Sequence, residues 1–248
     1  MTPNRLPPNV SVIIPAFNEA TRLPGTIEEV AAYLRRTNWT WEVRVVDDGS
    51  LDETADVAER CSRTEPRVIV QREPHRGKGG AVKAGVLAAC GEYRFICDAD
   101  LSMPIRELAR FLPPELDGAD VAIATREGPG ARRVGEPIRR HLVGRAFNYL
   151  VQVTLLGGLN DTQCGFKMFT AAAVDRVFPR VTIDGWSFDI EALYIARELG
   201  LRIVEVPIEW HFRKESRLNV GRDGLRMFRE LLYIRGRAKA GAYGPVSR

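Results

Sequence analysis

The first half of the chain alternates short apolar runs with stretches of helical periodicity. Strands are predicted where β-branched and aromatic residues cluster between turn residues, and helices where apolar residues recur every three or four positions. The predicted strands are residues 10–14, 42–46, 67–71, 93–97 and 120–125, and the predicted helices are residues 23–34, 54–61, 77–90 and 104–112. This alternation is typical of a mostly parallel α/β sheet with right-handed crossovers and helices on both faces.

The second half of the chain is richer in arginine and glycine. Residues 137–156 predict a helix whose first turns are basic and whose later turns are apolar. Two interpretations stay open: a core helix, or an interfacial helix with its apolar side in lipid and its arginines on phosphate headgroups. Further helices are predicted at 187–199 and around 225–232, with a last strand at 203–208.

The length of 248 residues suits one large domain or two closely joined halves, and it allows a sizeable core. We predict a single domain over residues 1–248. Its first half spans about 10–125 and its second half spans 126–237, followed by a tail at 238–248.

Three predicted strands end in polar or acidic loops, at residues 15–19, 47–50 and 98–100. The carboxyl ends of parallel strands meet at one edge of a sheet, where ligands bind. Asp98 and Asp100 cannot both be ionised and close together without a counter-charge. Mg²⁺ or Mn²⁺, shared with substrate phosphates, is the simplest such charge. The alternative is a polar strand end followed by a turn.

A glycine-rich basic loop, residues 75–80, opens the third predicted helix. It is not a phosphate-binding Walker loop, because Arg72 and Gly79 stand where glycine and Ser or Thr are needed. It is either a tight turn with helix-packing glycines or a basic loop whose Lys78 supports a phosphate group.

Composition narrows the function classes. A formal net charge of +4 is too small to indicate nucleic-acid binding, although residues 211–248 hold ten Lys or Arg against three acidic residues. The four cysteines lack metal-ligand spacing, which favours a reduced, cytoplasmic protein without structural zinc. Residues 1–9 do not resemble a signal peptide, and no apolar run of 18 or more residues predicts a transmembrane helix.

Four motifs together resemble inverting family-two glycosyltransferases of the GT-A fold: residues 12–19, 45–50, 77–81 and 98–100. Within that family, the second half is similar to polyprenyl-phosphate hexosyltransferases, and most similar to dolichyl-phosphate β-glucosyltransferases. Residues 161–167, 188–191 and 206–210 carry this second resemblance. Together the resemblances cover about residues 10–220.

The resemblance implies a nucleotide-sugar half followed by an acceptor half. It assigns nucleotide-sugar binding to Pro15, Phe17, Glu19, Val46, Asp48, Lys78, Asp98 and Ala99. Asp98 and Asp100 would bind the metal and the diphosphate, while Arg126, Arg213 and Arg217 would close on phosphate. The chain departs from the eukaryotic glucosyl enzymes at residues 101–104, in a loop at 211–217 that lacks glycine, and in the expected absence of an N-terminal membrane anchor.

The implied reaction displaces a nucleoside diphosphate from the anomeric carbon of a sugar, with inversion. A lipid monophosphate acceptor is mostly ionised at neutral pH and needs no general base. A hydroxyl acceptor would need one, and Asp161, Asp189 and Glu191 are then the candidates, unless they are structural carboxylates. The candidate catalytic residues are Asp98, Asp100, Asp161 and Asp189.

The expected donor is UDP-glucose, with GDP-mannose as the alternative, and the expected acceptor is polyprenyl or dolichyl phosphate. Transfer to a soluble hydroxyl acceptor stays open. A nucleotidyltransferase is disfavoured because residues 17–19 replace its glycine-rich signature, and the intact aspartates disfavour a non-catalytic binding protein. We expect no nucleic-acid partner. We expect the protein to lie in the cytoplasm, peripherally on the inner face of the membrane.

Overall fold

The computed structural model describes residues 9–213 and 220–244. Its strands are β1 (Val10–Ala16), β2 (Trp41–Asp48), β3 (Val68–Glu73), β4 (Tyr93–Ile96), β5 (Val121–Thr125), β6 (Arg132–Val134), β7 (Lys167–Thr170), β8 (Ile203–Pro207) and β9 (Glu209–His211). Its α-helices are α1 (Leu23–Leu34), α2 (Thr54–Thr64), α3 (Lys78–Ala88), α4 (Ile138–Thr154), α5 (Ala171–Val177), α6 (Phe188–Glu198) and α7 (Val220–Lys239). Two 3₁₀ segments, Ile105–Phe111 and Phe178–Arg180, complete the described elements.

Seven strands form the central sheet in the order β3-β2-β1-β4-β7-β5-β8. All pairings are parallel except those of β7, which runs antiparallel between β4 and β5. The predicted mostly parallel sheet is confirmed. Strands β6 and β9 pair with each other in a separate two-stranded sheet.

Helices cover both faces of the sheet. Along β1, Val12 and Ile14 face the core under α1, whereas Ile13 faces the core under α3. Every residue of β2 is buried, as expected for a parallel strand covered on both sides. The two faces therefore share one sheet, whose loops at the carboxyl edge remain accessible.

Three strands run further than the sequence predicts. Strand β3 continues to Glu73, and β1 continues through Pro15 to Ala16. Proline is tolerated there because the pairing of β1 with β4 ends at Ile13, so the missing N–H of Pro15 removes no bond from that ladder. Strand β2 likewise includes Asp47 and Asp48, which were predicted to lie in a loop.

Helix α4 is not a core helix, because Asn148 and Val151 are its only buried residues. Its exposure removes the first of the two interpretations of this segment. In the part of the chain that the structure describes, no helix is long and apolar enough to cross a bilayer.

Candidate active site

A cleft at the carboxyl edge of the sheet consists of two adjoining cavities, of about 440 and 270 Å³. The first cavity, at the ends of β1 and β2, is lined by these predicted residues: Pro15, Phe17, Glu19, Asp48, Lys78, Asp98, Ala99 and Asp100. The second cavity is lined mainly by residues of the second half, and it shares Lys78, Asp98, Asp100 and Trp186 with the first. The three polar loops therefore converge, as predicted.

Asp98 and Asp100 lie at the boundary between the two cavities. The Ala99 carbonyl accepts a 2.6 Å hydrogen bond from Thr26, and the Ser102 N–H donates to Asp100 Oδ1 at 2.9 Å. Burial, followed by the negative charge of Asp98, raises the pKa of Asp100. The two carboxylates thus form a site that a cation stabilises.

Lys78 supplies one such cation, with its Nζ 2.6 Å from Asp98 Oδ1. Burial opposes the charge of Lys78, but the attraction of Asp98 outweighs it and raises the pKa of the lysine. The ammonium also lies 5.5 Å from the ring centroid of Trp186, a residue that sequence reasoning missed. The predicted basic loop therefore delivers a charge to the boundary of the cavities.

The same loop is also a tight, helix-packing turn, as the first interpretation of it predicts. Gly77 has a φ of +120°, and a Cβ there would lie 2.6 Å from the Asp184 carbonyl oxygen. The Gly79 N–H donates to that same oxygen at 2.8 Å. Glycine is needed because a side chain would push the loop away from residues 183–185.

Gly165 brings the second half of the chain close to Asp98. A Cβ at this position would lie 1.8 Å from Asp98 Oδ2, so only glycine allows this approach. The motif at residues 161–167 therefore packs against Asp98, one of the two candidate metal-binding residues.

The chemistry of the donor set fits the expected Mg²⁺ or Mn²⁺. Within residues 9–213 and 220–244, no group of three His, Cys, Asp or Glu side chains is placed to hold a metal ion. Mg²⁺ is characteristically bound by one or two carboxylates together with substrate phosphates. Asp98 and Asp100 match this set if a diphosphate supplies the remaining oxygens.

Asp48 organises the end of the cleft that lies beside β2. Its carboxylate accepts hydrogen bonds from the backbone N–H groups of Arg76 and Gly77, each at 2.9 Å. His75 Nδ1 lies 2.8 Å from Asp48 Oδ2, and the His75 ring stacks on Phe17 with centroids 4.2 Å apart. His75 was not predicted, since a lone histidine beside a glycine-rich loop gives no signal of a stacking partner.

The structure does not bring the Val46 side chain to the cleft. It is fully buried, and a Cβ added at Gly85 of α3 would lie 2.7 Å from its Cγ2. The side chain therefore belongs to the core between β2 and α3, and the predicted contact with the nucleotide sugar is not available to it. The alternation of side chains along β2 explains this, because Val46 points away from the face of Val45 and towards α3.

Arg126 and Asp161 form a closed ion pair on the wall of the second cavity. Arg126 donates from Nε and Nη2 to the two carboxylate oxygens, at 2.6 and 2.8 Å, and from its backbone N–H at 3.0 Å. Burial alone would raise the pKa of Asp161, but Arg126 outweighs it and lowers that pKa. Asp161 is therefore a poor general base, and its geometry is that of a structural carboxylate.

Asp189 and Glu191 occupy different environments, although both lie in α6. Asp189 lines the second cavity, and its Oδ2 accepts a 3.1 Å hydrogen bond from the buried Lys167. Burial raises the pKa of Asp189, and Lys167 opposes that shift. Glu191 is fully buried and accepts hydrogen bonds from Ile183 and Tyr243, so it is structural.

Of the predicted acceptor-side arginines, Arg126 and Arg213 line the second cavity. Arg217 lies outside the described residues. Sequence reasoning missed Trp210 as a site residue, although it lines the same cavity with its ring 5.2 Å from the Arg126 guanidinium.

A model of glycosyl transferase family 2 matches residues 11–178 of the chain. The chain belongs to glycosyl transferase family 2. Family membership confirms the expectation that the protein is a glycosyltransferase. The cleft described above is the candidate active site of this enzyme.

Curated relatives within this glycosyltransferase family extend the similarity over nearly the whole chain. It is 31% identical over 250 residues to a dolichyl-phosphate beta-glucosyltransferase of Dictyostelium discoideum, covering 94% of this chain and 76% of the relative. It is 33% identical over 250 residues to the human protein of the same name, covering 94% of this chain and 77% of the relative.

Solved structures confirm the GT-A fold. Glucosyl-3-phosphoglycerate synthase from Mycobacterium tuberculosis in complex with UDP superposes with a TM-score of 0.66 and 20% identity, covering 92% of this chain and 80% of that chain. The same enzyme in complex with Mn²⁺, UDP-glucose and phosphoglyceric acid has a TM-score of 0.65 and 19% identity, with coverages of 92% and 80%.

Proposed function

We propose that this family 2 glycosyltransferase transfers glucose from UDP-glucose to a polyprenyl or dolichyl phosphate, with inversion and with Mg²⁺ or Mn²⁺ bound. The main structural support is that Lys78, Asp98 and Asp100 lie where two cavities meet. A donor in the first cavity and an acceptor in the second would face each other across these charges. The names of the relatives support the choice of glucose and of a lipid phosphate.

On the donor side, Phe17 and His75 form an aromatic wall for the nucleotide, and Asp48 holds the loop that carries Lys78. Asp98 and Asp100 would hold the metal ion, which when bound offsets the charge that develops on the departing diphosphate. Lys78 adds a second cation beside the same diphosphate. The donor diphosphate is then a stabilised leaving group.

On the acceptor side, the attacking atom is a phosphate oxygen that already carries negative charge. No residue needs to remove a proton from it, which agrees with the commitment of Asp161 to Arg126. Since that pair is closed, as are the ion pairs of Arg133 with Glu127 and Glu136, we assign placement of the phosphate to three further arginines on the second cavity. These are Arg140, Arg145 and Arg213. Arg217 stays a prediction for the same task.

A second candidate is transfer to a hydroxyl group of a soluble phosphorylated acceptor. Asp189 supports it, because a buried carboxyl with a raised pKa on the second cavity is the expected form of a general base. The solved structure with phosphoglyceric acid gives this acceptor class a concrete example.

One incubation series separates these reactions. The protein is mixed with UDP-glucose or GDP-mannose, with Mg²⁺ or Mn²⁺, and with either polyprenyl phosphate or 3-phosphoglycerate, and the products are identified by mass. The proposal predicts a glucosylated polyprenyl phosphate with UDP-glucose. A soluble glycoside without lipid product would favour the second candidate, a mannosylated lipid would correct the donor, and no product with any pair would overturn the proposal.

A further inference from the structure

Two helices beside the second cavity leave large apolar side chains in solvent. On α4, Ile138 is 76% exposed, Leu142 is 60% exposed and Tyr149 is 67% exposed. On α7, Leu225 is 56% exposed and Leu232 is 55% exposed. Isolated exposed apolar residues are common on protein surfaces, but clusters of them mark binding surfaces.

The spacing of these residues places them in continuous stripes. Residues 138, 142, 149 and 153 of α4 are separated by four, seven and four positions, which puts them on one face of an α-helix. Residues 225, 228 and 232 of α7 share a face in the same way. We call these two sets the α4 stripe and the α7 stripe.

The two stripes lie on strongly basic helices. Helix α4 contains Arg139, Arg140 and Arg145 and no acidic residue, and by helical spacing Arg145 falls within the α4 stripe. Helix α7 contains six basic residues against two acidic ones, and Arg229 and Arg235 are exposed there. Apolar side chains bordered by arginine are the composition of a helix that lies in the headgroup region of an anionic bilayer.

The stripes border the second cavity. Helices α4 and α7 contact each other, and both contribute to the cavity wall, α4 through Gly144 and Phe147 and α7 through Gly224 and Met227. No residue of either stripe except Arg145 lines the cavity. A surface that contacts the stripes would therefore lie beside the cavity without filling it.

We infer that the α4 and α7 stripes dock this protein on an anionic phospholipid surface, with the second cavity held at the level of the headgroups. The inference rests on the proposed function, because the phosphate of a polyprenyl phosphate lies at that level. A second copy of the chain is a poorer occupant, since a symmetric contact would bring two arginine-rich helices together.

Vesicle co-sedimentation tests the docking. Purified protein is mixed with vesicles of phosphatidylcholine alone or of phosphatidylcholine with phosphatidylglycerol, at low and high salt. The protein should sediment with the anionic vesicles and less with the neutral ones, and high salt should weaken the binding. The double variants Ile138→Ser/Leu142→Ser and Leu225→Ser/Leu232→Ser should each lose about tenfold in binding.

Leu87→Ser is the matched control, because Leu87 is an exposed leucine on α3, away from both stripes. It should bind vesicles like the unaltered protein. The charge variant Arg229→Gln/Arg235→Gln should reduce binding to anionic vesicles only. Unfolding temperatures establish that each variant is folded.

Transfer to a short, water-soluble prenyl phosphate distinguishes docking from catalysis. The stripe variants should retain this transfer while losing vesicle binding. If the unaltered protein binds anionic vesicles but transfers nothing, the proposed function fails and the docking stands. If it does not bind them, or if light scattering shows a dimer that only the stripe variants disrupt, the docking inference is overturned.

Discussion

At the scale of single residues, Asp98 is held from two sides. Lys78 pairs with one of its oxygens, and the backbone of Gly165 approaches the other. Asp100, two positions on, has its pKa raised by burial and by the charge of Asp98. The site therefore concentrates negative charge where the proposed diphosphate would bring more, and cations are needed to balance it.

Replacing Lys78 tests that balance. Lys78→Met should lower kcat/KM for the nucleotide sugar about a hundredfold, because one cation aimed at the leaving group is lost. Steady-state kinetics with a fixed acceptor measures the effect. Lys83→Met is the control, since Lys83 lies in the same helix but donates to the Val181 carbonyl. Equal effects of the two substitutions would contradict a specific role for Lys78.

The ion pair of Asp161 with Arg126 is expected to stabilise the folded protein. Asp161→Asn should lower the free energy of unfolding by about 3–5 kcal/mol, because it leaves the buried Arg126 charge without its partner. Urea denaturation measures this cost. The double variant Arg126→Gln/Asp161→Asn should lose less than the sum of the two single variants. Additive losses would show that the pair is not coupled.

The same pair predicts a direction of pH dependence. The pKa of Asp161 is lower in the folded protein than in the unfolded chain, so the folded state binds fewer protons. Its contribution is present above the ordinary pKa of aspartate and is lost as the pH falls through the lowered value. Asp161→Asn should therefore flatten the acid limb of the stability curve, which denaturation at several pH values measures.

At the scale of elements, the α-β alternation of the first half was predictable because apolar residues, mostly β-branched or aromatic, cluster in each strand. Strand β7 was not predicted, since it begins with Lys167, and burial of that lysine depends on an ion pair with Asp189, which lies 22 positions away in the chain. Strands β6 and β9 are three residues each, too short for a periodic pattern. These are contacts between distant segments, which local patterns do not contain.

Gly165, which lies just before β7, allows a test of how closely the 161–167 segment approaches Asp98. Gly165→Ala should lower kcat by about a hundredfold, because its Cβ must displace Asp98 or the 161–167 segment. Gly236→Ala in α7 is the control, with no atom within 4 Å of the added carbon, and it should retain full activity. Full activity of Gly165→Ala would contradict the close approach to Asp98.

At the scale of the whole molecule, the sheet order joins the first half of the chain to the second. Strand β7 of the second half lies between β4 and β5 of the first, so the segment before it reaches Asp98 at the carboxyl end of β4. The convergence of the polar loops was predictable from parallel topology. The wall of the second cavity was not, because it combines Trp186, Trp210 and residues of α4 and α7, which are far apart in the chain.

The central claim is that Asp98 and Asp100 bind a divalent ion together with the donor diphosphate. Calorimetric titration of UDP into the protein, with and without Mn²⁺, tests it most directly. Mn²⁺ should strengthen UDP binding at least tenfold in the unaltered protein and should have no such effect in Asp98→Asn or Asp100→Asn. UDP binding that is indifferent to Mn²⁺, or a Mn²⁺ effect that survives both substitutions, would contradict it.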